Sequence, residues 1–314
     1  DLRMSRGLGD VYKRQMKQHI FYRVLWLIVI TATLFSCSKR DRLETLQQKL
    51  HELTADKDAN IGIAVIIDGK DTVAINGDKP FPMLSVYKLP IAMALGDHLQ
   101  ARESLIPDSV TIYKSDLKPD TYSPMRDRYD NIDSIKLPLQ EVMAYSLQQS
   151  DNNASDILLA LTGGVNNVSR YLNRIDGKGI NIISTEDEMH ADPALCYQNT
   201  ATPVAMASLI DRFDNESHDP FSQKIKRLLE TCETGTGRLP KPLLNTGAII
   251  GHKTGTGFTL PDGRLMAVND AGYVHLPVGS RYTIVVFIEN SGYGMDETEA
   301  LIATISETVF KTLR

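Results

Sequence analysis

Two pairs of residues could open and close an ester in this chain. In FPMLSVYKLP, Ser85 stands three residues before Lys88, and later Lys253-Thr254-Gly255-Thr256 follows a histidine. An alcohol is a poor nucleophile until a base takes its proton. An amine one helical turn away on the same face can be that base, but only if burial or a second cation lowers its pKa. Lys253 could be that cation. Ser85 at the start of a helix would also sit near the positive end of the backbone dipoles. Taken alone, Ser-x-x-Lys is weak, because it recurs at Ser36–Lys39 and Ser115–Lys118. The first repeat lies at a processing site, and the second reads as surface loop. The tripeptides Ser150-Asp151-Asn152 and Lys253-Thr254-Gly255 occur once each. Glu186, in TEDEMH, adds a carboxylate. Held near an ester, such a group can activate water, and general-base help is typically worth about 10²–10⁴ in rate.

These residues need a scaffold. Residues 42–53 read as a helix, with Leu43, Leu46, Leu50 and Leu53 at spacings of three and four. IGIAVII (61–67) is β-branched and meets Asp68-Gly69 before DTVAI, a hairpin signal. MAYSLQQ, ASDILLAL and PVAMASLIDRF predict central helices, with Thr202 as an N-cap and Pro203 in a first turn. Ser150-Asp151-Asn152 is read at the end of one of these helices and Glu186 in a polar loop between helices. GHKTGTGF, MAVNDAGYVHL and RYTIVVFIE predict strands. The last segment is an amphipathic helix with Leu301, Ile302, Ile305, Val309, Phe310 and Leu313 on one face, capped by Asp296 with Glu299. The expected fold class is α/β: a mostly antiparallel sheet covered by the terminal helices (about 41–80 and 240–314) plus an all-α lobe (about 81–239). The cleft between lobes is the default site.

Ser-x-x-Lys, Ser-Asp-Asn and Lys-Thr-Gly, in this order, are the trio of class A β-lactamases and penicillin-binding proteins. TYSPMR, LQQSDNNASDILL, EDEMHADP, CYQN and GHKTGTG resemble the cephalosporin-preferring, extended-spectrum branch of the class A serine β-lactamases. The resemblance covers residues 41–314 and implies a β-lactamase/transpeptidase-like fold, an α/β sandwich beside an all-α lobe. It implies hydrolysis of the β-lactam ring, cephalosporins favoured, through acylation of Ser85 and deacylation by a Glu186-activated water. The base in acylation is either Lys88 or Glu186 acting through water. Ser150 would pass a proton to the leaving ring nitrogen. Lys253, Thr254 and Thr256 would bind the substrate carboxylate, and Asn152 the side-chain amide. The backbone N–H groups of Ser85 and Thr256 would form the oxyanion hole. Tyr122 would wall the entrance.

The chain departs from that pattern in three places. His190 stands where most relatives have Asn, four residues after the glutamate. An imidazole there would orient the deacylating water, with a charge that can change near pH 6–7. Ser184 replaces an arginine that pins the loop in many relatives, and Asp156 replaces an asparagine. An altered loop is expected. Two alternatives remain at this stage: a penicillin-binding D-Ala-D-Ala carboxypeptidase or transpeptidase, and a non-catalytic β-lactam sensor.

Residues 1–15 lack apolar periodicity and read as an artefact of expression or sequence assembly. Residues 16–36 read as an export signal, with Lys17 and Arg23 before an apolar stretch at 24–35. The stretch ends in a lipobox at Cys37. The expected location is periplasmic, lipid-anchored to the outer membrane, with no other membrane contact, and the chain is expected to be a monomer. The sequence holds 34 basic and 39 acidic side chains, net −5, and eight of the basic but only two of the acidic ones fall in the first forty residues. So acidic a body should repel nucleic acid. The seven histidines show no helical ligand pair, so neither a metal nor an organic cofactor is implied. Beyond Cys37, Cys196 and Cys232 allow one disulfide at most, and the sequence leaves open whether it forms.

Overall fold

The computed structural model describes residues 40–101, 108–277 and 279–314. The leader, the lipobox and Cys37 lie outside the described residues. The chain divides into two compact units, Asp1–Gln48 and Lys49–Arg314. Residues 40–54 are helical (α1), where the leucine spacing predicts a helix.

Strand β1 (Asn60–Ile67) turns at Asp68-Gly69 into β2 (Asp71–Ile75). Both turn residues have positive φ, 50° and 66°, and Lys70 N–H donates to Ile67 O at 3.0 Å. That is a type I′ turn, whose twist matches the strands. The chain then gives β3 (Phe81–Pro82), a 3₁₀ turn (Leu84–Tyr87) and α2 (Lys88–Ala101). Strand β4 (Ser109–Tyr113), α3 (Pro124–Arg128) and β5 (Ser134–Pro138) follow, and β4 pairs with β5. Helices α4 (Leu139–Leu147), α5 (Asn152–Leu161) and α6 (Val165–Arg174) come next. Short β6 (Ile180–Asn181), α7 (Glu186–Ala191) and β7 (Thr200–Ala201) precede α8 (Pro203–Glu216) and α9 (Pro220–Glu230). The chain closes with β8 (Ile249–Thr256), β9 (Leu265–His275), β10 (Arg281–Ser291) and α10 (Met295–Leu313).

The main sheet is antiparallel throughout, in the order β2-β1-β10-β9-β8. Its inner strands are buried along nearly their whole length, which requires apolar side chains on both faces. Alternate residues therefore serve two cores. Ala64, Ile66, Val285 and Phe287 join the core of the helical region, whereas Ile63, Val65, Val286 and Ile288 are buried on the opposite face. Helix α8 packs on β1, β9 and β10, and α10 packs on β9 and β10. Thr202 caps α8 as expected, accepting from Ala205 N–H at 3.2 Å. The cap of α10 differs from expectation. Gly294 is the N-cap and its N–H donates to Glu297, while Glu299 is taken by Arg238.

Helix α2 is the axle of the helical region. Leu89, Ile91, Ala92, Met93, Ala94 and Leu95 are all buried, so the first half of the helix is enclosed on every side. It packs against α4, α5, α6 and α9. Whatever its first turn carries is set in a rigid core.

Candidate active site

The segment ahead of α2 carries Ser85. Leu84 has φ +49°, a left-handed conformation that costs a branched side chain about 1–2 kcal/mol. Three outside contacts impose it. Met83 N–H donates to Asn199 O at 2.8 Å, and Asn269 Nδ2 donates to Pro82 O at 2.7 Å and Met83 O at 3.1 Å. Strand β8 presses on the same turn at Gly255. A Cβ there would sit 2.5 Å from Met83 O and 3.3 Å from Ser85 N, so only glycine lets the strand reach the serine.

Lys88 is fully buried and ties three elements together. Its Nζ donates to Ser150 O at 2.7 Å and to Asn152 Oδ1 at 2.6 Å, and lies 3.1 Å from Glu186 Oε1. Ser150 and Asp151 lie in the connection from α4 to α5, with Ser150 at φ +60°, and Asn152 opens α5. Asp151 is the buried N-cap of α5. It accepts from Ala154 N–H, Met125 N–H and the Ser123 hydroxyl at 2.7–3.0 Å, and this fixes the turn. Asn152 also donates to Thr121 Oγ1 at 2.7 Å. Ser150 Oγ points the other way and accepts from Lys253 Nζ at 2.9 Å.

Lys253 is fully buried on β8. Burial pushes its amine down to about 7, and the positive charge of Lys88 works in the same direction. The sequence proposes Lys253 as the cation that acts on Lys88; the resolved downward shift belongs to Lys253 itself. Thr254 Oγ1 lies 2.6 Å from Thr234 Oγ1, which adds a second hydroxyl to this wall.

Glu186 is not in a loop. It is the first residue of α7, whose N-cap Thr185 and Glu188 form a capping box. Glu186 is 9 % exposed, so its carboxylate faces inward. The loop is anchored from two sides. Asp156 on α5 accepts from Glu186 N–H and Asp187 N–H, both at 2.9 Å. Burial raises this carboxyl to about 6, with the nearby Glu186 adding to the rise and the two N–H groups opposing it. Asn199 accepts from Ile183 N–H and Ser184 N–H and donates to Ser184 O, at 2.8–3.0 Å. The expected alteration of the loop thus takes a definite form: Asp156 and Asn199 do the anchoring, and Ser184 takes part through its backbone.

A cavity of about 500 Å³ opens where these parts meet. Ser85, Tyr122, Ser150, Asn152, Glu186, His190, Thr254 and Thr256 all line it. Lys88, Lys253 and Gly255 are buried behind them. Tyr122 is 60 % exposed at the rim, and His190 is exposed on the α7 side. Arg238 was not singled out from the sequence. It is 3 % exposed, donates to Thr256 Oγ1 at 2.7 Å and to Gly255 O at 3.1 Å, and pairs with Glu299 at 3.0 Å. It brings a second positive charge to the β8 wall. A lone arginine in TGTGRLP gives no local sign of this. Neither Asn199 nor Asp151 is assigned a role from the sequence, although an Asp ahead of an apolar helix is a legible cap. Among the described residues no cluster of His, Cys, Asp and Glu could hold a metal, and Cys196 and Cys232 are both free thiols.

A serine backed by two buried amines, with a carboxylate one ion pair away and a sheet-edge strand along one wall, defines a serine acyl-transfer enzyme. The model of the β-lactamase enzyme family matches residues 45–313, and the chain belongs to that family. A β-lactamase of Bacteroides uniformis is 36 % identical over 290 residues, covering 90 % of this chain and 97 % of the relative. The extended-spectrum β-lactamase PER-1 of Pseudomonas aeruginosa is 30 % identical over 289 residues, covering 91 % and 92 %. The crystal structure of a class A β-lactamase from Bacteroides cellulosilyticus superposes with a TM-score of 0.81 at 32 % identity, covering 87 % of this chain and 98 % of that one. The protein is a class A serine β-lactamase, and its reaction is hydrolysis of the β-lactam ring.

Proposed function

We propose that β-lactams, cephalosporins foremost, acylate Ser85 and are released by a water that Glu186 activates. The observation that carries this reading is the 3.1 Å approach of Glu186 Oε1 to Lys88 Nζ, inside the cavity that Ser85 lines. The proton leaving Ser85 enters this carboxylate–amine pair, whose two members share it. Ser150 then passes a proton to the ring nitrogen, re-supplied by Lys253 through the 2.9 Å hydrogen bond. Lys253, Thr254, Thr256 and Arg238 hold the substrate carboxylate, and Asn152 holds the side-chain amide. The backbone N–H groups of Ser85 and Thr256 receive the developing oxyanion; losing one such donor typically costs about 10²–10³ in rate. The proton taken from Ser85 is passed on to replace the one Lys253 gave, so Glu186 is again a carboxylate. It then takes a proton from water as that water attacks the ester carbonyl, and collapse of the tetrahedral intermediate returns this proton to Ser85 as it leaves. His190 helps direct that water, and Tyr122 walls the mouth. The cephalosporin preference rests on Thr256, on the resemblance of the site segments, and on similarity to a relative named an extended-spectrum enzyme.

The test is turnover of a chromogenic cephalosporin and a penicillin by wild type and Glu186→Gln, with intact mass of the variant. We expect the larger kcat/KM for the cephalosporin, and in the variant a burst followed by a trapped adduct on Ser85. Wild-type turnover by Glu186→Gln would sink the deacylation scheme. A long-lived adduct on the wild type would favour the carboxypeptidase reading. We further propose export and lipidation at Cys37, a periplasmic outer-membrane location and a monomeric state, on the leader sequence. Release of Cys37→Ala from the membrane fraction and elution at one-chain mass would support these; unchanged membrane retention or a dimer mass would remove them.

A further inference from the structure

The steps above leave one buried polar group unused. Tyr87 lies between Ser85 and Lys88 in the chain, and its side chain is fully buried. Its Oη makes no hydrogen bond to the protein. Glu186 Oε1 is also buried and without a hydrogen bond, although it is paired in charge with Lys88. A buried phenol donor with no acceptor is unfavourable, and native interiors seldom leave such groups unmatched; Glu186 Oε1 has Lys88 as its ion-pair partner, and a carboxylate oxygen can accept from a second donor. These two are neighbours: Glu186 is the charged group that bears most strongly on the phenol, ahead of Asp156 and Cys196. Burial first, and then those negative charges, keep the phenol well above its ordinary pKa, so it stays a donor wherever the enzyme works. The ring is itself held in the core that includes Val86 and Leu89. A phenylalanine would fill the space equally well, yet the chain places a hydroxyl there.

We infer that Tyr87 is a positioning residue for ester hydrolysis: its O–H serves Glu186 Oε1 and fixes the direction in which the carboxylate meets the attacking water. This rests on the deacylation role given to Glu186 above. The other groups facing Glu186 are Lys88 from α2, Asp156 from α5, Lys253 from β8, Cys196 from the turn after α7, and His190 on α7 itself. Of these, Cys196 is also a neutral donor at working pH, its thiol raised to about 11 by burial, but it points to Met189 O. Removing the O–H leaves the carboxylate less well directed and makes it hold a proton more tightly.

Tyr87→Phe tests this, with acylation and deacylation of a chromogenic cephalosporin followed separately by rapid mixing from about pH 5 to pH 8. We expect acylation within about twofold of wild type and deacylation slowed about ten- to a hundredfold, as for loss of a hydrogen bond to a charged group. The acid limb of deacylation should move to higher pH, and Tyr87→Phe in a Glu186→Gln background should add no further slowing. Wild-type deacylation with an unmoved acid limb, while Glu186→Gln still traps its adduct, would overturn the inference and leave the Glu186 scheme standing. A lowered melting temperature with an unmoved limb would overturn it too, since that is what a packing role alone predicts. Turnover by Glu186→Gln would remove both.

Discussion

Asp156→Asn isolates the anchor of α7. Both carboxylate oxygens of Asp156 accept a backbone N–H, from Glu186 and Asp187. An amide offers one oxygen, so the substitution turns one acceptor into a donor facing a donor. Losing a buried acceptor of this kind costs about 1–3 kcal/mol. Against this, the substitution removes a carboxylate whose burial raises it to about 6 from its ordinary 3.8. The folded protein therefore takes up this proton before the unfolded chain does. The group's contribution to stability is full below pH 3.8 and is lost as pH rises through 6. Between pH 7.5 and pH 4.5 that difference amounts to about 2 kcal/mol in favour of the wild type. Urea unfolding of both proteins at the two pH values measures it. The gap, wild type minus variant, should be about 2 kcal/mol larger at the lower pH, and deacylation of the variant should fall at least tenfold at neutral pH because Glu186 loses its seat. An equal gap at both pH values would refute the argument that burial of this charge sets its titration. Unchanged deacylation would refute the anchoring role.

Two further outcomes follow from the β8 wall. Gly255→Ala places a Cβ 2.5 Å from Met83 O, a backbone atom with no room to yield, so acylation measured by rapid mixing should drop about a hundredfold or more; acylation within tenfold of wild type would show that this contact does not set the geometry. Lys253 is set to lose its charge near pH 7, so KM for an anionic β-lactam should rise from pH 6 to pH 8 in the wild type and stay flat in Lys253→Arg; a flat wild-type profile would separate the lysine from carboxylate binding.

The sheet was legible from sequence because β1 and β10 read as runs rich in β-branched residues, while β9 is a longer, mostly apolar stretch interrupted by Asn269 and Asp270. Ser150 and Lys253 were legible in tripeptides that occur once each, and Ser85 with Lys88 only in their company, since Ser-x-x-Lys recurs. Glu186 was misread as a loop residue because a six-residue helix shows no apolar periodicity, although Thr185 and Glu188 spelled its cap. The turn at Ser150 was read as a helix end, since a positive φ at serine has no sequence signal. Short β4 and β5 were missed although SVTIY and SIKLP alternate polar and apolar residues, because five residues are too few for the period to stand out. Arg238 and Asn199 act across the fold, through residues 15 to 61 positions away, and no local pattern could reveal them.

Strand β8 is the last in its sheet, with β9 along only one side. An outermost strand ordinarily invites a second chain to add to it. Here α9 and the Ser85 turn pack against the strand. What would be a template for self-association instead lends Thr254 and Thr256 to the wall of a cavity sized for a small molecule.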